Sequence, residues 1–112
     1  MKQPRLTPDA ALQALAEDPQ GLPFRSLFRH GSLEVEVYKP GERDLQTPHA
    51  RDEVYVVIAG RGTFACGGER TTFDAGTLLF VPAGVEHRFE DFTDDFSTWV
   101  LFYGPNGGEH DA

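Results

Sequence analysis

From Pro23 onward apolar and polar residues alternate with a period of two, and only the first segment of the chain departs from that rhythm. There Thr7 is placed to cap a helix, Pro8 suits the first helical position, and Asp9 puts a negative charge in the first turn. Ala10, Ala11, Leu12, Ala14, Leu15 and Ala16 make a narrow apolar stripe that Pro19 and Gly21 end. A helix this short is unstable alone. Residues 1–22 are therefore expected to form a helical arm, packed on the rest of the molecule or on a second subunit.

The remainder reads as short strands between turn residues. Residues 24–30 and 33–38 make a hairpin across Gly31-Ser32, the second strand alternating apolar and charged side chains as a half-exposed strand does. Residues 54–58 are β-branched or aromatic, 63–66 and 69–73 pair across Gly67-Gly68, and 77–81 is an apolar strand stopped by Pro82-Ala83-Gly84. Two more strands begin at His87 and Phe96. Residues 105–112, rich in Gly and acid, are expected to be a flexible tail. Evenly spaced strands with no long helix between them predict an all-β antiparallel barrel or sandwich over residues 23–104.

Composition agrees with that class. A chain of 112 residues encloses one core, and its nine Phe, three Tyr and one Trp supply bulk suited to strands. Twelve Gly and eight Pro supply the turns. The net charge of -8 repels phosphate backbones, so no nucleic-acid partner is expected. No apolar run is long enough to cross a bilayer and no signal core follows Met1, so a cytoplasmic protein without membrane contact is expected. The single Cys66 has no partner for an internal disulfide.

Candidate chemistry lies in two glycine-bounded blocks. The first, residues 41–60, carries His49 and Glu53; the second, residues 76–87, ends at His87. Two histidines and a carboxylate suit a divalent first-row metal with open coordination positions. On one continuous strand His49 and Glu53 would have Cα atoms about 13 Å apart, too far for ligand bonds of about 2 Å. Sharing an ion requires the chain to turn at residues 50–52, or a helix capped by Thr47 with Pro48 first; the β-branched run that follows favours the turn. Otherwise Arg51, Arg61 or Arg88 is the partner that a buried Glu53 needs, and residues 51–53 are a charged turn. In the second block Pro82 ends a strand, and Gly84 lets the chain reverse and present His87.

The two blocks resemble the paired motifs of the cupins, G-x5-H-x-H-x3-E-x6-G and G-x5-P-x-G-x2-H-x3-N. Gly41, His49, Glu53, Gly60, Gly76, Pro82, Gly84 and His87 match; Thr47 stands where the first histidine is usual and Asp91 where the final asparagine is usual. The resemblance implies an antiparallel double-stranded β-helix, the jelly-roll barrel, with a divalent metal ion in its mouth held by His49, Glu53 and His87. It does not distinguish Fe, Zn, Mn or Ni. Thr47 removes one of the three histidines common in such sites, so Thr47 or Gln46 is the candidate for an added oxygen. A small polar or anionic substrate, dioxygenase or isomerase chemistry and a homodimer are also implied, the dimer through residues 8–17 and 54–58. The missing histidine leaves a second reading open: a metal-free binding or sensory module using the same cavity, with Glu53 held by an arginine.

Overall fold

In a computed structural model that describes residues 5–110, the capped segment is one helix and the period-two segments are eight strands. Their order is α1 (Pro8–Ala16), β1 (Phe24–His30), β2 (Leu33–Tyr38), β3 (Asp52–Ala59), β4 (Gly62–Cys66), β5 (Glu69–Phe73), β6 (Leu78–Val81), β7 (His87–Glu90) and β8 (Ser97–Tyr103). One sheet has the order β1-β2-β8-β3-β6 and the other β5-β4-β7. All the pairings are antiparallel, and the expected jelly-roll architecture is met.

The two sheets face each other across an aromatic core. Tyr38, Tyr55, Val100 and Phe102 of the larger sheet meet Phe64, Phe73 and Phe89 of the smaller, with Phe96 between. Phe89 is the hub, its ring centroid 4.6 Å from Phe96, 4.9 Å from Tyr55 and 4.9 Å from Phe64. Packing this dense fills the interior around Phe89. Tyr55, Phe64 and Phe89 belong to this core, whereas Trp99 packs near α1 and Phe80 is exposed on β6.

The alternation in β2 resolves opposite to a half-exposed strand. Val37 packs on the outer face of the sheet against Ala11 and Leu15 of α1, so Glu36 and Tyr38 share the inner face. The helix thus covers its own barrel. Thr7 caps it by accepting from the Ala10 amide at 3.1 Å, and Arg25 of β1 donates to the Ala14 carbonyl. It ends at Ala16, short of the full arm, and residues 1–4 lie outside the described residues.

Described residues that follow β8 are hydrogen-bonded to the barrel. Gly104 donates to Ser32 Oγ at 3.1 Å, Gly107 to the Ala50 carbonyl at 2.7 Å, and Glu109 to Asp52 Oδ2 at 2.7 Å. Glycine is what permits the approach, since a Cβ on Gly108 would lie 2.9 Å from Asp52 Oδ1.

Gly60 holds the turn that joins the two sheets. Its φ is +89°, and a Cβ there would come within 2.6 Å of the Phe96 backbone. Gly60→Ala is expected to cost about 2–4 kcal/mol, read as a fall in Tm of roughly 10 °C or more in a thermal melt. A fall under 2 °C would show that this turn relaxes freely.

Candidate metal centre

His49 comes from the loop between β2 and β3. The chain bends at Ala50 and Arg51, and β3 begins at Asp52, so His49 and Glu53 are not on one straight strand and no helix joins them. Hydrogen bonds fix this bend to the second block. The Gly84 amide donates to the His49 carbonyl at 2.7 Å, and Ala83 donates to Asp52 Oδ1 at 2.9 Å. Gly84 has φ +79°, the reversal expected of it, and β7 then starts at His87. Asp91 sits in the left-handed region at φ 51°, where asparagine and aspartate are the non-glycine residues that fit best. Its replacement of the usual asparagine is therefore conservative.

The structure brings His49, Glu53 and His87 together, their ligand atoms all within 4.8 Å of one another. Glu53 Oε1 lies 3.4 Å from His87 Nε2 and 3.9 Å from His49 Nε2. Four of the five buried side-chain polar atoms without a hydrogen-bond partner among the described residues belong here: both Glu53 oxygens and the Nε2 of each histidine. Such atoms are costly to bury unsatisfied, and their concentration in one volume fits a cation. An ion with bonds of about 2.0–2.2 Å holds neighbouring ligand atoms about 3–3.5 Å apart; the Glu53–His87 pair stands at that spacing, and His49 would have to close in by a few tenths of an ångström or more.

The surroundings orient the donors. His87 Nδ1 donates to the Val85 carbonyl at 3.0 Å, which leaves the Nε2 lone pair facing Glu53. The His49 ring packs edge-on against Phe102 at 4.9 Å. Burial, with His87 beside it, holds the His49 imidazole below its usual pKa and hence neutral. Burial pushes the Glu53 carboxyl up to about 7 against the opposing pull of the nearby Tyr55 hydroxyl, with the negative charges of Glu36 and Asp44 adding to the rise. No arginine reaches Glu53 among the described residues: Arg51 pairs with Glu34 at 3.2 Å, and Arg88 donates to the Gln46 carbonyl at 3.3 Å.

Several supporting residues escape a reading of the sequence. Buried Asp44 accepts from Tyr38 Oη (2.6 Å), the Gln46 amide (3.0 Å), Gln46 Nε2 (3.0 Å) and the Phe89 amide (2.8 Å). Gln46 Oε1 in turn accepts from the Tyr55 hydroxyl at 2.9 Å, so that side chain braces β3 and the ligand loop together. Asp52, which the alternative reading places in a charged turn, is a buried clamp between residues 83 and 109. Its carboxyl is held below the usual range by those two amides.

A cavity of about 1350 Å³ opens beside the centre, with Thr47, His49, Glu53, Val100 and Phe102 in its wall. Half-buried Glu36 lines it too, and burial with nearby Glu34 pushes its carboxyl up to about 7 from an ordinary 4.5. Because the folded state binds this proton more tightly, an ionised Glu36 weakens the fold as pH rises from 4.5 through 7. Glu36→Gln is expected to stabilise the metal-free protein by about 1–2 kcal/mol at pH 8, after allowance for solvent screening, and to change little at pH 4. Denaturation at both pH values reads this; equal effects at the two would refute it.

Known proteins resemble this chain in sequence and fold. A family model described as Cupin domain matches residues 34–103. An uncharacterized protein of Streptomyces coelicolor is 37% identical over 84 residues, covering 73% of this chain and 80% of its own length. The solved structure of a Rhizobium leguminosarum protein of unknown function matches with a TM-score of 0.67 and 22% identity, over 94% of this chain and 100% of that one. KdgF from Halomonas sp. matches with a TM-score of 0.63 and 19% identity, over 74% and 78% of the two chains. The solved structures speak to the fold, whereas the family model spans both glycine-bounded blocks with the strands that carry them. On these grounds the chain belongs to the cupin family.

Proposed function

We propose that this protein holds one divalent metal ion through His49, Glu53 and His87 and presents it to a small polar or anionic molecule in the adjoining cavity, as a metal-dependent enzyme of the dioxygenase or isomerase type. The observation that carries the reading is the convergence of four buried, unpartnered donor atoms. When bound, such an ion supplies Lewis-acid polarisation or, as Fe(II), a place for dioxygen. The chain's own residues do the rest. His87 is held in one tautomer by Val85, Glu53 neutralises part of the ion's charge, and Phe102 and Val100 shield the bound molecule from water. Three protein ligands leave positions for water and substrate, as a catalytic rather than a structural site requires. The metal-free alternative needs an arginine on Glu53, and among the described residues none is paired with it.

Metal analysis of protein purified without a metal-affinity tag tests the reading. About one ion per chain is expected, and chelation should lower Tm by roughly 15 °C when the metal had been present at about 1,000 times its Kd. A chain that takes up no stoichiometric metal and melts identically with and without chelator would overturn it.

A further inference from the structure

The cavity has a second polar end that the metal reading leaves unused. Glu36 faces Val100 of β8, and Val100 faces Tyr55 of β3, two residues along from Glu53. At about 4.8 Å between strands and 3.4 Å per residue, the Glu36 and Glu53 backbones stand roughly 12 Å apart. They line opposite parts of one cavity, with Val100 and Phe102 between them.

Two further observations characterise what fits there. Of the five exposed large apolar side chains among the described residues, Leu22, Phe24 and Leu45 all line this cavity. Exposed apolar side chains gathered around one concavity favour a ligand with an apolar body. Glu36, meanwhile, has no cationic partner among the described residues. The nearby arginines are engaged by Glu34, Arg29 at 2.9 Å and Arg51 at 3.2 Å, and Lys39 donates to the Asp94 carbonyl at 3.0 Å. A half-buried carboxyl whose neighbouring arginines are paired to another carboxylate is a place for a cation brought by the ligand.

We propose, on the small-molecule reading above, that the cavity takes an elongated amphiphile: an oxygen-donor head at the His49, Glu53 and His87 end, an apolar chain over Val100 and Phe102, and an ammonium group at Glu36. The head and the ammonium lie about one short alkyl chain apart. This goes beyond the metal site, because it assigns Glu36 a role in choosing the ligand.

Hexylammonium and 1-hexanol, titrated into chelator-treated protein at pH 8 and followed by NMR shifts of the cavity methyl groups, read the Glu36 end without any metal. Hexylammonium should bind about tenfold more tightly than the alcohol, and Glu36→Gln should bring the two within about twofold while leaving 1-hexanol unchanged. Equal binding in wild type, a preference that survives in Glu36→Gln, or no binding of either probe would overturn the proposal. With the ion loaded, 6-aminohexanoate should outbind hexylammonium; failure to do so overturns the two-ended ligand. A chain that discriminates the amine through Glu36 but takes up no metal would retain the ammonium end and sink the metal reading.

Discussion

With alanine at position 87, the protein should lose at least about a thousandfold in affinity for divalent metal, roughly 4 kcal/mol. The imidazole that goes is the most tightly held of the three donors, buried and fixed by Val85. Thr47 already stands in place of one histidine, so only His49 and Glu53 would remain, and two ligands cannot enclose an ion against water. Competition with a chromophoric chelator measures the loss. Thermal stabilisation by added metal should vanish with it, because that stabilisation is the binding free energy seen through the folding equilibrium. Affinity within threefold of wild type would remove His87 from the ligand set and with it the proposed centre.

Asp44→Ala should unfold the protein more readily than any exposed substitution, costing about 3–5 kcal/mol. The carboxylate accepts four hydrogen bonds at 2.6–3.0 Å. Without it the Phe89 amide and the Tyr38 hydroxyl are stranded in the core, where each unsatisfied group costs about 1–3 kcal/mol. Asp44→Asn keeps the volume and one acceptor, and its loss should be about half as large. Urea denaturation of the two variants tests this. A change below about 1 kcal/mol for the alanine variant would mean that the loop repacks. Metal affinity should fall as well, since Gln46 then no longer ties the ligand loop to Tyr55.

Local signals sufficed wherever structure is local. Thr7 and Pro8 start the helix where their chemistry places it, and period-two alternation gives β1, β2 and β5 the bounds expected of them. The bend after His49 was legible through a distance argument, since a straight strand cannot bring His49 and Glu53 to one point. What escaped depends on partners far away in the chain. Asp44 is held by Phe89 across 45 positions and Asp52 by Glu109 across 57, and neither bond leaves a trace in the residues nearby. Glu36 escaped for another reason: alternation identifies two faces of a strand without saying which is inside. Here the helix covers the valine face, and the charged face turns to the cavity.

The amides of Gly107 and Glu109 close onto Ala50 and Asp52, on either side of the bend that carries two of the three donors. Trimming the chain before residue 107 should therefore leave every strand its partner and remove both restraints on that bend. The far end of the described chain thus acts on the candidate site from outside both glycine-bounded blocks, as a latch whose loss would loosen His49 against Glu53.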